Sequence, residues 1–148
     1  MLVDDEDFEW LNQYKWYCQK ALSNRFYARG QAGKNKKTIF MHRFILNIND
    51  KRRIDHMNGD SLDNRKSNLR ICTQQQNLFN KKMYKNNKSG YKGVWFTKNR
   101  ISKPWETQIR FNNREIFLGR FSTPQEAALI YNDAAKKYFG EYAKLNQI

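Results

Sequence analysis

Residues 54–82 constrain this chain more than any other stretch, because small polar residues and turn formers recur there at close, fixed offsets. The stretch reads IDHMNGDSLDNRKSNLRICTQQQNLFNKK, and His56, one of only two histidines in the chain, directly follows Asp55. Asn58, Gly59 and Asp60 then form a turn cluster, in which glycine supplies a positive φ and Asn or Asp caps its own backbone. We therefore expect a structured polar loop rather than part of a core.

The flanks of this loop predict two strands and a helix. Ile54 ends a short strand and delivers Asp55 and His56 to the loop, and the apolar alternation of 69–72 predicts a second strand. Thr73 is a good N-cap for a helix from about 74 to about 82, which places Asn77 in the first turns. This order brings Asp55, His56 and Asn77 toward one point.

Those three side chains suit the hydrolysis of a phosphodiester. A carboxylate and an amide oxygen can hold one hard divalent cation, and an imidazole that binds no metal can deprotonate water near neutral pH. With two oxygen donors and no second histidine at this point, Mg²⁺ or Mn²⁺ suits the site better than zinc. The alternative is that Asp-His and scattered asparagines form only a polar, turn-rich loop.

The segment resembles the HNH (ββα-metal) nuclease motif, and it is especially similar to homing-type enzymes of mobile introns and bacteriophages. The shared pattern reads DHMNGDSLDNRKSNLR here, followed by QQQN. The resemblance implies that His56 is the general base, that Asp55 and Asn77 hold one Mg²⁺ (or Mn²⁺) per active site, and that Asn68 braces the loop and orients the histidine. It also makes Arg65 and Arg70 candidate phosphate contacts, whereas we expect Asn64 to serve the backbone of the loop.

Net charge independently indicates a polyanionic partner. Lys and Arg number 28 against 14 Asp and Glu, a formal charge of +14, which is typical of proteins that bind nucleic acid. Charge alone leaves ribosomal RNA and an acidic membrane open. Cys18 and Cys72 form no CxxC pair, so a four-cysteine zinc site is excluded and a reducing compartment is expected. No apolar run approaches the roughly 20 residues that span a bilayer, so we expect no membrane partner and a cytoplasmic location, in a prokaryote or a phage-infected host.

The residues before the motif predict a small α+β unit. Residues 1–20 indicate a short amphipathic helix carrying Phe8, Leu11, Tyr14 and Trp16, and residues 25–41 predict a hairpin with a basic turn. His42 is interpreted either as a second catalytic or DNA-contacting group, or as a structural residue at the start of a short helix. Because homologous nucleases often carry residues before the VDDEDF segment, we also expect that an N-terminal edge strand could be missing.

The residues after 90 follow a different pattern. Strands are predicted at 91–97, 105–111 and 115–121, and a helix follows with Thr123 as N-cap, Pro124 at its first position and Glu126 closing a capping box. This half resembles the Apetala/ethylene-response-factor type of DNA-binding domain, through YKGVW, WETQIRF, IFLGRF and STPQEAALIYNDAAKKYFG. The resemblance implies DNA contacts from the sheet, with burial against the helix as an equal alternative for the two tryptophans; the candidates are Lys92, Trp95, Lys98, Trp105, Gln108, Arg110 and Arg114.

We thus predict an α+β fold class, with a small ββα-metal nuclease domain followed by a three-stranded antiparallel sheet packed on one helix. The expected domains are 1–83, a basic linker at 84–90, and 91–148. The predicted function is a metal-dependent endonuclease that nicks double-stranded DNA as a monomer or weak dimer, without a small-molecule cofactor. The alternatives are a DNA-binding protein that keeps the nuclease scaffold without cutting, and a basic RNA-binding protein, which explains the charge but not the motif.

Overall fold

The structure, a computed structural model, describes residues 1–21, 25–83, 86–98 and 101–148. It has two compact units, here called the N-terminal unit, Met1–Asn77, and the C-terminal unit, Leu78–Ile148. Helices and antiparallel strands occur in both units, which confirms the α+β fold class. The division into domains at 1–83 and 91–148 stays a prediction, and residues 84 and 85 of the expected linker lie outside the described residues. No helix in the described ranges is long and apolar enough to cross a membrane.

The N-terminal unit is built from two antiparallel sheets and short helices. One sheet has the order β1-β2-β3 and the other pairs β4 with β5. Leu11, Ala28, Met41, Ile45 and Leu69 form the buried core between these elements. The elements are α1 Asp5–Leu11, β1 Trp16–Lys20, β2 Phe26–Ala32, β3 Lys37–Phe40, α2 Met41–Ile45, β4 Arg53–His56, a 3-10 turn Lys66–Asn68, β5 Leu69–Cys72 and α3 Gln74–Phe79, which crosses the boundary between the units.

The predicted helix and hairpin of this unit exist, but two boundaries were wrong. The helix ends at Leu11, and Trp16 instead begins β1, where it pairs with Gly30 of β2. The indole N–H of Trp16 donates to the Leu11 carbonyl at 2.9 Å, so the same apolar residues pack together across a turn rather than along one helix face. The second correction concerns Asp55 and His56, which lie within β4 and not in the loop after it. Pairing with β5 extends the strand through both residues.

The C-terminal unit is a sheet of order β6-β7-β8 packed on one long helix, as predicted. The elements are β6 Val94–Phe96, β7 Trp105–Phe111, β8 Arg114–Phe121, α4 Pro124–Phe139 and a 3-10 turn Gly140–Tyr142. Alternation along β7 turns Thr107 and Ile109 toward α4, where Ala127, Ala128 and Ala135 are fully buried. Small side chains on the helix let its backbone lie close to the sheet.

Local chemistry sets the ends of these elements. Thr123 Oγ1 accepts the amide of Glu126 at 3.3 Å, and the Glu126 carboxylate accepts the Ser122 amide at 3.1 Å, so the predicted capping box is confirmed. The first strand is shorter than the predicted 91–97. Gly93 has a φ of +75°, which bends the chain immediately before Val94.

Candidate active site and nucleic-acid interface

The β4–β5 hairpin places Asp55 and His56 side by side on one strand. Asp55 is paired with Arg70 and His56 with Leu69 in the antiparallel register. Because successive strand residues alternate, these two candidate side chains leave β4 on opposite faces. Both are buried, at 5% and 7% exposure. A buried carboxylate and a buried imidazole are costly unless each has a polar partner, so their partners define the site.

Arg70 is the partner of Asp55. Its Nε and one terminal nitrogen donate to Asp55 Oδ2 at 3.0 and 2.7 Å. The guanidinium is itself largely buried, at 12% side-chain exposure, so this is an internal ion pair rather than a solvent-screened one. Arg70, expected as a phosphate contact, is therefore directed at the predicted metal ligand.

Asn77 is delivered by the first turn of α3. Thr73 Oγ1 accepts the Gln76 amide at 3.2 Å, and Gln76 Oε1 accepts the Thr73 amide at 2.8 Å, which is a reciprocal capping box. The Asn77 amide closes the first helical bond to the Thr73 carbonyl at 3.0 Å, and the residue is half-buried.

The donor chemistry of Asp55 and Asn77 fits a hard divalent cation that keeps several waters. Among the described residues, no group of three or more His, Cys, Asp or Glu side chains could hold a metal ion. A protein cage of soft ligands, as zinc prefers, is thus not formed by those residues.

His56 is held by an asparagine that sequence reasoning did not assign to it. Its Nε2 lies 3.3 Å from Oδ1 of Asn64, a side chain with no exposed surface. Since an amide oxygen can only accept, Nε2 carries the proton in this contact and the basic lone pair resides on Nδ1. Burial lowers the pKa of His56, while the Asn64 hydrogen bond and neighbouring carboxylates oppose this. The imidazole is therefore in its neutral, basic form near pH 7.

Backbone contacts fix Asn64 in turn. Its amide donates to the Leu2 carbonyl at 2.8 Å, its side-chain Nδ2 donates to the Leu62 carbonyl at 3.3 Å, and the Leu2 amide donates to the same Leu62 carbonyl at 2.9 Å. Asn64 binds the backbone of the loop, as expected. It also contacts His56, which the sequence did not predict. In the sequence, only the place of Asn64 between Asp63 and Arg65 pointed to this position.

Asn68 and Arg65 also bind within the loop. Asn68 donates to the Asp63 carbonyl at 2.7 Å and accepts the Asn58 amide at 2.9 Å, so it ties both ends of the loop together. Arg65 forms a two-pronged contact with the Asp63 carboxylate, at 2.8 and 2.6 Å. These hydrogen bonds lower the pKa of Asp63 to about 2. Asp63 thus accepts hydrogen bonds from both Arg65 and Asn68, and the sequence did not predict this role in the loop.

A second imidazole packs against His56. His42, the second residue of α2, meets His56 edge to face with ring centroids 5.3 Å apart. Tyr27 lies beside both, at 5.9 Å from His42 and 6.4 Å from His56. Burial, the neighbouring His56 and Arg43 lower the pKa of His42 to about 3, so it is neutral at physiological pH. The expected short helix at His42 is confirmed. The catalytic role of His42 itself stays a prediction.

The sheet of the C-terminal unit separates the predicted DNA-contacting residues. Trp95 is paired with Glu106 on the face away from α4, and alternation puts Gln108 and Arg110 on that same face. Trp105 is on the helix side, where it packs against the core of Val94, Ala127 and Ala128.

The remaining three predicted residues lie outside that face. The Lys92 ammonium donates to the Phe79 carbonyl at 2.6 Å, and burial lowers the pKa of Lys92 to about 8. Lys98 is exposed beyond the end of β6, and Arg114 is exposed at the start of β8.

The outward face also carries a residue that the sequence analysis missed. Arg120 is held by Glu106, its cross-strand neighbour, at 2.7 Å, and its guanidinium lies 5.0 Å from the centre of the Phe117 ring. An irregularity in register between Thr107 and Gln108 brings these residues together. Sequence alternation alone does not locate such a shift.

Comparison with known proteins identifies the family of the chain. The profile of a family described as HNH endonuclease matches residues 47–78, which contain β4, the loop, β5 and most of α3. An uncharacterized HNH endonuclease of Acanthamoeba polyphaga mimivirus is 31% identical over 144 residues, which cover 93% of this chain and 70% of that protein. The chain belongs to the HNH endonuclease family. Enzymes of this family hydrolyse phosphodiesters and generally use a divalent metal.

The C-terminal part of this HNH endonuclease is similar to plant proteins of another kind. Dehydration-responsive element-binding protein 2A of Arabidopsis thaliana is 41% identical over 63 residues, and protein 2D is 45% identical over 58. The matches cover 41% and 38% of this chain but only 18% and 27% of the plant proteins. The Apetala/ethylene-response-factor-like character of this part is thereby confirmed. No solved structure matches the chain.

Proposed function

We propose that this HNH endonuclease nicks double-stranded DNA with a water molecule activated by His56, and that its C-terminal unit holds the DNA. The observation that carries the proposal is the His56–Asn64 contact at 3.3 Å, because it orients a buried, neutral imidazole on the strand that also bears Asp55. A base with a lowered pKa is unprotonated at neutral pH and can accept a proton from water.

In the proposed mechanism, His56 takes the proton of the attacking water, whose oxygen bonds to phosphorus as the P–O bond to the 3′ oxygen breaks, and the departing 3′ oxygen takes a proton from solvent. Asn64 stabilises the resulting imidazolium through its carbonyl oxygen. Asp55 and Asn77 would hold a divalent cation, Mg²⁺ or Mn²⁺, which when bound supplies positive charge to the phosphate. Arg70 orients the Asp55 carboxylate by donating twice to one of its oxygens. One such site per chain favours cutting of one strand by a monomer. A homing-type role is proposed only from the resemblance of the motif.

The C-terminal unit is proposed to bind DNA through the outward face of its sheet. Trp95, Gln108, Arg110, Phe117 and Arg120 combine hydrogen-bond donors with aromatic surface there, and β-sheets can enter a groove of DNA. Arg110 and Gln108 can read base edges. Arg120 is held in place by Glu106, and an arginine fixed in this way suits bidentate recognition. Lys92 is left out of this surface because its ammonium is bonded to a backbone carbonyl.

The test is conversion of supercoiled plasmid to nicked and linear forms, with Mg²⁺, Mn²⁺ or EDTA. The wild type should nick with metal and not with EDTA, and His56→Ala and Asp55→Asn should each abolish nicking while gel-shift binding stays within about twofold. Asp133→Asn, which changes an exposed carboxylate on α4, is the matched control and should cut normally. Strong binding without cutting by the wild type under any metal would overturn the nuclease proposal for this chain.

A further inference from the structure

The three-stranded sheet of the N-terminal unit has an outer face, opposite the face that packs on the core. Its core-facing side carries Trp16, Ala28 and Gly30. On the other side, the register aligns Tyr17 of β1 with Arg29 of β2, and Arg29 with Phe40 of β3. Directly opposite residues of paired strands share a face. Tyr17, Arg29 and Phe40 therefore form a row across all three strands, here called the Arg29 row.

The Arg29 row continues to the catalytic histidine. Tyr27 precedes Arg29 by two residues on β2 and so shares its face, at a distance of roughly 7 Å along the strand. The Tyr27 ring lies 6.1 Å from Phe40 and 6.4 Å from His56. A phosphodiester presented to His56 belongs to a strand that extends several nucleotides in each direction. At roughly 3.4 Å of axial rise per nucleotide, phosphates within two or three nucleotides come level with this row.

The chemistry of the row suits a DNA strand. The guanidinium of Arg29 lies 5.0 Å from the centre of the Phe40 ring and donates to Gln19 Oε1. It thus contacts both an aromatic ring and a side-chain amide, and no carboxylate neutralises its charge in any described contact. Arg29 Nε is buried and has no partner among the described residues, so a phosphate would meet the terminal nitrogens of the guanidinium. Tyr17 beside it is 45% exposed. An arginine fixed in this way can give a phosphate two parallel hydrogen bonds.

We propose that the Arg29 row binds the DNA strand flanking the scissile phosphate, with Arg29 contacting a phosphate and Tyr17 and Phe40 packing against the adjacent sugars or bases. This inference rests on the proposed function, because it names the part of the substrate that lies beside His56. It adds to the nuclease unit a binding surface of its own, built on the sheet rather than on the HNH loop.

The experiment measures binding of a duplex oligonucleotide by the full chain in the His56→Ala background, over a range of salt concentrations. Arg29→Gln should weaken binding about tenfold, since a hydrogen bond to a charged group is lost. It should also reduce the slope of log affinity against log salt by about 0.9, which is the loss of one phosphate contact. Arg29→Lys should restore the slope. Lys20→Ala is the control, because Lys20 is an exposed cation on the opposite face of β1, and its slope should stay at the wild-type value.

The outcomes separate this inference from the proposed function. If the wild type neither cuts nor binds DNA, the proposed function fails. If it does both but Arg29→Gln keeps the wild-type slope, the Arg29 row is not a phosphate-binding surface and the inference is overturned. Tyr17→Ala gives a second reading, because an exposed ring tolerates truncation. Weaker binding of DNA by this variant with an unchanged melting temperature supports the row, and unchanged binding contradicts it.

Discussion

Replacing His42 by phenylalanine should make the N-terminal unit less sensitive to mild acid. His42 is enclosed by Tyr27, Phe40 and His56, with ring centroids between 5.3 and 5.9 Å. Burial first, then the neighbouring His56 and Arg43, lower the pKa of His42 from its ordinary value of 6.5 to about 3. Phenylalanine keeps an aromatic ring in this position and removes the titrating group.

The sign and size of the effect follow from proton binding. As the pH falls below 6.5, the unfolded chain protonates His42, whereas the folded unit does so only near pH 3. The unfolded state therefore binds more protons in this window, and stability is lost as the pH falls. Between pH 7.5 and pH 5, His42 alone should reduce the free energy of unfolding by about 2 kcal/mol. Asp63, whose pKa is lowered to about 2, loses its contribution only below its ordinary pKa of 3.8.

The assay is urea unfolding of the full chain at pH 7.5 and pH 5, followed through amide hydrogen exchange of β2, β4 and β5 so that the N-terminal unit is observed by itself. The wild type should lose about 2 kcal/mol more than His42→Phe between the two pH values. Each protein is compared with itself at the two pH values, so the effect of the new ring on packing cancels. The titration of His56 does not separate the two proteins, because both contain it. Equal pH dependence in the two proteins would refute the burial of a neutral His42.

Two further substitutions, one in each unit, and one comparison variant make separate predictions. Asn64→Ala should lower the cleavage rate at saturating DNA by about 10- to 100-fold, because His56 loses its orienting contact. The affinity for DNA in a gel shift should stay unchanged. A loss of affinity with an unchanged cleavage rate would contradict this prediction. Gly93→Ala should destabilise the C-terminal unit by about 3 kcal/mol, since the added Cβ would lie 2.2 Å from the Tyr131 ring at a φ of +75°. Gly33→Ala, at a similar φ but with open space around it, should cost only about 1 kcal/mol in thermal or urea unfolding.

Much of the C-terminal unit could be predicted from local sequence. Thr123 and Glu126 form the expected capping box, and the alanines of α4 pack on the sheet as their spacing indicates. β7 runs from Trp105 to Phe111 as predicted. These features depend on neighbours three or four positions apart, or on alternation along one strand, so they can be read before the fold is known. The Glu106–Arg120 pair depends on an irregular register and could not.

For the N-terminal unit, the sequence by itself determined which kinds of polar group the candidate site contains. The DH pair, the turn formers and the trailing asparagine define a polar loop between two strands and a helix, because their backbone preferences are local. The tertiary structure decided which partner each group has. Asn64 contacts His56, and Arg70 faces Asp55 across a strand pair. His42 and Tyr27 reach His56 through pairings between residues far apart in the chain. Such contacts result from packing of a buried site, and residue type alone does not encode them.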